Sequence, residues 1–124
     1  METFIDNKFM SVFQKNGILV LRWKPATKDL TNDAFKSEAI KFINIVKQNQ
    51  SKNIIVDMRN FSYDLTPEVI AWRNQNIIAV YNEIGVEKFA FISEKPTVKQ
   101  DNPNNTFFTR HFVNEQEAEN WLTS

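Results

Sequence analysis

The sequence predicts one α/β domain built on a mixed sheet of about five strands, with an N-terminal hairpin, a parallel centre and about three helices. Short apolar runs of strand length alternate with longer segments whose apolar residues recur at helical spacing. The dipeptide Asn16-Gly17 separates the first two apolar runs, and this arrangement favours a hairpin. The later strands are joined by helices, so they are expected to lie parallel, because a helix returns the chain to the same end of the sheet.

The first part of the chain predicts a hairpin followed by a helix. Phe9–Phe13 and Ile18–Trp23 are the expected strands, and a type I′ turn at Asn16-Gly17 would use the positive φ that these residues tolerate. Thr31 is the expected N-cap of a helix that continues to about residue 50. The apolar residues at helical spacing in this helix are Phe35, Ala39, Phe42, Ile43 and Val46.

The middle of the chain predicts a central strand and a second helix. Residues 53–58 form a short apolar run that ends near a carboxylate, which is typical of a parallel strand covered on both faces. Thr66 is a suitable N-cap, Pro67 suits the first helical position, and Glu68 suits the positive end of the helix. Gly85 can supply the left-handed residue that ends this helix.

The last part of the chain predicts a buried strand, a loop, an edge strand and a final helix. The buried strand spans Lys88–Ile92, and a polar loop rich in Asn and Pro spans residues 93–106. Alternating residues over Phe107–Val113 predict an edge strand. Asn114 and Glu117 resemble a capping box, which predicts the start of the last helix.

Composition limits the function classes. The 124 residues include no cysteine, which excludes a disulfide framework and any thiolate metal site. The 15 Lys and Arg residues balance the 15 Asp and Glu residues, so the charge pattern typical of a nucleic-acid binder is missing. No apolar run approaches the ~20 residues of a membrane span, and the N-terminal residues do not resemble an export signal. We therefore expect a cytoplasmic protein with no nucleic-acid partner and no integral membrane association.

The second predicted helix carries polar residues close to its buried stripe. Arg73 and Asn74 fall near this stripe, and a buried guanidinium needs a partner. We expect Arg73 to pair with Asp57 inside the protein, or alternatively to meet a ligand. Trp72 is predicted to point away from the stripe, so a loop, a second subunit or a ligand should cover it. At about 100° per residue, the stripe consists of Ile70, Ile77, Tyr81 and Ile84.

The residues that carry most enzyme chemistry are scarce. His111 is the only histidine, so it cannot build a histidine metal cluster, and we interpret it as a partly exposed structural residue of the edge strand rather than a general base. Gly17 and Gly85 are assigned to a turn and a helix end, which leaves no glycine for a phosphate-binding loop. The sequence therefore predicts no metal site, no cofactor and no catalytic residue.

The segment from Asp57 to Glu68 is the most informative part of the sequence for function. It runs from the carboxyl end of the central strand into a helix start, and ligands of open α/β sheets collect at such places. Asp57, Arg59 and Thr66 would lie there together as an anion or regulatory site. In the alternative interpretation, Asp57 binds loop amides, Arg59 is solvated and Thr66 only caps the helix.

The pattern of elements resembles the SpoIIAA-like family of STAS-related proteins. The residues that carry the resemblance are the N-terminal hairpin, the strand Ile54–Asp57, the helix start at Thr66 and the closing helix. The resemblance implies a STAS-like fold, and in anti-sigma-factor antagonists a partner kinase phosphorylates a serine at the corresponding helix start. Asp57 matches the strand-end aspartate, and Thr66 falls at the phosphoacceptor position. Pro67 and Glu68 differ from the hydroxyl residue and the glycine of those antagonists.

Two function hypotheses follow. The first is a non-catalytic regulatory or protein-interaction module, which the resemblance and the missing catalytic motifs favour. The alternative is a binder of a small apolar or amphipathic acid at the carboxyl end of the central strands. Its apolar body would lie against Phe61, Tyr63 and Trp72, while Arg59 or Arg73 meets the head group. We also expect a protein partner or a homodimer formed through an edge strand or through Trp72.

Overall fold

The computed structural model describes residues 1–94 and 104–124 and contains a mixed sheet of six strands. The strands lie side by side in chain order; β1, β2 and β3 pair antiparallel, and β3 to β6 pair parallel. The α/β class, the hairpin and the parallel centre are confirmed. The strands are β1 Glu2–Asp6, β2 Met10–Lys15, β3 Ile18–Trp23, β4 Asn53–Asp57, β5 Lys88–Ile92 and β6 Phe108–Phe112.

The first strand was not predicted, so the sheet has one strand more than expected. A shift of register between Thr3 and Ile5 interrupts its pairing with β2. Such a bulge breaks the two-residue alternation by which a strand is recognised in a sequence. The turn between β2 and β3 is as predicted, because Asn16 (φ 54°) and Gly17 (φ 77°) both have positive φ.

The helices begin at the predicted N-caps. The side chains of Thr31, Thr66 and Asn114 accept hydrogen bonds from backbone N–H groups at 3.1, 3.3 and 2.9 Å. No helix of the described residues is long and apolar enough to cross a membrane. The helices are α1 Asn32–Asn49, α2 Pro67–Arg73, α3 Ala79–Ile84 and α4 Glu115–Leu122, with a 3₁₀ turn over Pro25–Asp29 and a π turn over Asn74–Ile78.

The sheet has two covered faces. Helices α1, α2 and α3 pack on one face, here called the α1–α3 face, and α4 packs on the other, here called the α4 face. Residues alternate between the faces along each strand, so Ile54 and Val56 join the larger core on the α1–α3 face. Ile55 joins the smaller core beneath α4. Asp57 follows Ile55 by two positions and therefore lies on the α4 face.

Helix α2, the π turn and α3 form one continuous helix, and the π turn changes which residues are buried. The prediction that Ile70 belongs to the buried stripe is wrong, since Ile70 is exposed while Val69 is fully buried. The wider π turn inserts one extra residue before Ile77, so the buried position that precedes it moves from Ile70 to Val69. Ile77 and Tyr81 are buried as predicted.

The predicted loop over residues 93–106 falls mostly outside the described residues. β6, which follows this segment, lies at the sheet edge as predicted and pairs only with β5 within the described ranges.

Candidate functional site

A cavity of about 600 Å³ lies between the sheet and the helices of the α1–α3 face. Strands β3, β4 and β5 form its floor, α1 forms one wall, and the α2–π–α3 helix with residues 104–107 forms the other. Most of the lining is aliphatic or aromatic. The aromatic residues among the lining are Trp23, Phe35, Phe42, Phe61, Tyr81, Phe89, Phe91 and Phe107.

Arg73 is the one charged side chain among the described residues that line this cavity. Its Nε atom is buried and has no hydrogen-bond partner within the described chain. No carboxylate of residues 1–94 or 104–124 forms an ion pair with this guanidinium. Burial lowers the pKa of Arg73 from its ordinary value, because the charged form loses hydration. A guanidinium remains protonated at neutral pH despite such a shift, so Arg73 brings a positive charge to an apolar cavity.

Tyr81 adds a hydroxyl group to the same wall. The residue is buried, and its ring packs against Phe89 and Phe107 at centroid distances of 5.3 and 5.8 Å. Burial raises the pKa of the Tyr81 phenol well above its ordinary value, while the charge of Arg73 acts in the opposite direction. The phenol therefore stays protonated at neutral pH. Its hydroxyl group makes no hydrogen bond with any other described residue, so its donor is available to a bound molecule.

The π turn separates Arg73 from Tyr81 and determines where both side chains point. Arg73 is the last residue of α2, and Asn74 begins the π turn. With the extra residue of this turn, Val69, Ile77 and Tyr81 all face the sheet, and Arg73 lies in the same row between them. The helix thus presents a cation and a hydroxyl group from one surface. π turns inside α-helices occur frequently at functional sites.

Asp57 and Arg59 do not belong to the cavity, although the sequence places them with Arg73. Arg59 donates to the Asp57 carboxylate through Nε at 3.0 Å and Nη2 at 2.7 Å, and its backbone N–H donates at 3.1 Å. Arg22 donates to the same carboxylate at 3.3 Å and binds Glu115 of α4 at 2.9 Å. The predicted pair between Arg73 and Asp57 is wrong, because both Asp57 oxygens are taken by Arg59 and Arg22 on the α4 face.

The charges around Asp57 also set its protonation. Burial alone would raise the pKa of Asp57, but hydrogen bonds from Arg59 and the charges of Arg59 and Arg22 outweigh this effect and lower the pKa below its ordinary value. The carboxylate is consequently ionised at neutral pH. Together with Glu115, these residues tie the ends of β3 and β4 to α4. This arrangement stabilises the fold, and Asp57 and Glu115 compensate the charges of Arg22 and Arg59.

The remaining predicted site residues lie in three different environments. Phe61 lines the cavity and packs against Trp23 at 5.1 Å between ring centroids. Tyr63 stacks on Phe35 outside the cavity, and its hydroxyl group donates to Asn32. Thr66 acts as the N-cap of α2 by accepting the Val69 N–H.

Trp72 is half-buried against α1 and does not line the cavity. The Lys36 ammonium lies 5.7 Å from its ring centroid, which is within cation–π range. We expected a loop, a second subunit or a ligand to cover Trp72. In the structure, helix α1 covers part of it instead.

His111 forms a short contact with the Ser93 hydroxyl group, 2.5 Å from its Nε2 atom, and is half-buried on β6. Within the described ranges, no group of three His, Cys, Asp or Glu side chains could hold a metal ion.

Most cavity residues were missed by the sequence reasoning. The predicted core includes many of them, but an apolar side chain that lines a cavity has the same sequence pattern as one that fills a core. The polar residue in the buried stripe of the second helix was the one available signal. It drew attention to Arg73, which lines the cavity together with Phe61 of the predicted crevice.

Comparisons with protein-family models, with curated proteins and with solved structures found no match to this chain. The resemblance to the SpoIIAA-like family therefore stays a prediction.

Proposed function

We propose that this protein binds a small ligand with an apolar body in the cavity of the α1–α3 face. The observation that carries the proposal is the cavity of about 600 Å³ with its aromatic and aliphatic lining. Pockets for small molecules typically have ~300–1,000 Å³ and a mostly apolar lining with a few polar groups. Part of its lining, Met58 and Phe61, follows the carboxyl end of β4, and ligands of α/β proteins collect at such ends.

Packing energetics support the same conclusion. Protein interiors are close-packed, with few voids larger than a water molecule. This space is partly open to solvent, so its apolar lining faces water in the free protein. An apolar ligand would cover the rings of Phe61, Phe89 and Phe107, and removing such surface from water is favourable.

A titration with the neutral apolar fluorophore N-phenylnaphthylamine tests this proposal. We expect saturable binding at one site per chain. Ala39 lies on the cavity wall, so Ala39→Phe should fill the space and weaken probe binding at least about tenfold through steric exclusion. Ile40→Phe is the matched control, because the neighbouring Ile40 is 43% exposed and an added ring there stays outside the cavity.

A second measurement keeps the test independent of how well the variant folds. NMR spectra of the wild-type protein with the same probe should show shifts at Met58 and Ile77 of the cavity but not at the exposed Val113. Absence of saturable binding by the wild type would overturn the proposal. Shifts confined to residues outside the cavity would do the same.

The regulatory or protein-interaction role predicted from the sequence stays a second proposal. It is supported by the position of Thr66 at the start of α2, where the positive end of the helix dipole favours a phosphate. The Thr66 hydroxyl group already accepts the Val69 N–H, so phosphorylation would have to rearrange this cap.

A further inference from the structure

We propose that the ligand of the cavity is a monoanion, namely a monocarboxylate with an apolar body, whose head group binds Arg73 and Tyr81. This inference rests on the proposed function and adds the head group to it. Three observations carry it: an unpaired buried guanidinium nitrogen, a single charge on the cavity wall, and a second donor beside it.

The unpaired Nε of Arg73 requires a hydrogen-bond acceptor. A buried polar atom without a partner costs free energy, and the cost is larger when the group is charged. Arg59 and Arg22 satisfy this need with the Asp57 carboxylate. Arg73 differs from these two arginines because its Nε has no partner and no described acidic side chain forms an ion pair with it. A carboxylate of the ligand would accept the hydrogen bond from Arg73 Nε and would compensate the positive charge of Arg73.

The number of charges selects the head group. Arg73 contributes one positive charge, and the other lining residues of the described chain are neutral. A carboxylate carries one negative charge and can accept two parallel hydrogen bonds from a guanidinium. A phosphate monoester carries about −1.5 to −2 at neutral pH, so part of its charge would stay uncompensated in an apolar space. The cavity is therefore matched to a carboxylate in both charge and geometry.

Tyr81 supplies the second donor. Its phenol is protonated at neutral pH and makes no hydrogen bond to another described residue, so it can donate to the carboxylate oxygen that Arg73 leaves free. Asn82, which also lines the cavity, is less available. Its amide donates to Asn105 at 3.0 Å and accepts the Thr106 N–H at 2.8 Å. Head-group recognition thus falls to Arg73 and Tyr81, while Asn82 holds the neighbouring loop.

The test compares three probes with the same alkyl chain: decanoate, decanol and decyl phosphate. Calorimetric titration should show that decanoate binds at least about tenfold more tightly than decanol, since a hydrogen bond to a charged group contributes about 1.4 kcal/mol or more. Decyl phosphate should bind more weakly than decanoate. Equal affinity of decanoate and decanol would overturn the monoanion proposal and leave the apolar-ligand proposal intact. Tighter binding of decyl phosphate would also overturn it.

Variants test whether Arg73 and Tyr81 cause the preference for decanoate over decanol. Arg73→Met keeps an unbranched stem without the charge, so the preference for decanoate over decanol should be lost. Tyr81→Phe should weaken decanoate several-fold and leave decanol unchanged. Arg59→Met is the matched control, because Arg59 lies on the α4 face and should not affect either probe. If Arg73→Met keeps the full preference for decanoate, the assignment to Arg73 is wrong.

The stability of the free protein separates a binding role from a structural one. Arg73 is half-buried with its Nε buried and unpaired, so replacing it by an apolar side chain removes an uncompensated polar atom, whereas removing a structural ion-pair partner is destabilising. Ligand-free Arg73→Met should therefore unfold at the same urea concentration as the wild type or a higher one. A marked loss of stability would show that Arg73 holds the fold together. If none of the three probes binds the wild type, the proposed function itself fails.

Discussion

The substitution Asp57→Asn tests whether the buried carboxylate under α4 stabilises the fold. Asp57 is 3% exposed and accepts four N–H groups at 2.7–3.3 Å, three from Arg59 and one from Arg22. Removing one partner of a fully buried ion pair costs ~3–5 kcal/mol. The Arg22 and Arg59 side chains are 39% and 36% exposed, so water replaces part of the interaction. We therefore expect a loss of about 2 kcal/mol in the free energy of unfolding.

The pH dependence of this loss has a defined direction. The pKa of Asp57 in the folded protein is lowered, so its stabilisation is fully present above the unfolded pKa of ~3.9 and disappears as the pH falls through the folded value. Urea unfolding followed by tryptophan fluorescence should show the difference between wild type and Asp57→Asn at pH 7. The difference should shrink below about pH 4.

Two controls make the result interpretable. Asp64→Asn removes an exposed carboxylate that forms no ion pair with a described residue, and it should change the unfolding midpoint very little. Decanoate affinity should be the same in Asp57→Asn and wild type, because Asp57 lies on the face opposite the cavity. Equal stability of Asp57→Asn and wild type at pH 7 would refute the reasoning, and so would a loss that persists unchanged in acid.

Two further predictions concern side-chain hydrogen bonds that fix loops. Thr27 is fully buried, and its hydroxyl group contacts the Asn60 carbonyl at 3.1 Å and accepts the Ser62 N–H at 3.0 Å. Thr27→Val should lower the free energy of unfolding by about 1–3 kcal/mol in urea, whereas Thr27→Ser retains most of it; equal stability of the valine variant would contradict this. Asn82→Ala should expose the Thr106 amide and speed its hydrogen exchange, measured by NMR, and unchanged protection would show that Asn82 does not hold this loop.

The parts of the fold that were predicted correctly depend on interactions between near neighbours in the chain. The turn at Asn16-Gly17 requires positive φ at both residues, and this requirement is local. The N-caps Thr31, Thr66 and Asn114 each bind an N–H group three positions ahead. Such signals involve only a few neighbouring residues, so they can be recognised in a sequence without knowledge of the tertiary structure.

The parts that were missed depend on irregular or long-range features. The bulge in β1 and the π turn after Arg73 each insert a residue, and hydrophobic periodicity assumes that no residue is inserted. This assumption is why Ile70, rather than Val69, was predicted in the buried stripe. The separation of Asp57 from Arg73 has another cause. Asp57 ends β4 and lies on the α4 face, where Arg22 is its neighbour across the parallel pair, whereas Arg73 lines the cavity on the opposite face.

The contrast between Arg73 and the arginines of the α4 face supports the proposed ligand site more directly than the fold does. On the α4 face, Arg22 and Arg59 meet carboxylates of the chain itself, so their charges are compensated when the protein folds. On the other face, Arg73 enters an apolar cavity beside a π turn and meets no carboxylate among the described residues. The unpaired Nε of Arg73 and the π turn lie on one wall of one cavity. Departures from local rules that coincide in this way are typical of places where a protein gives up stability for binding, so they support the proposed ligand site.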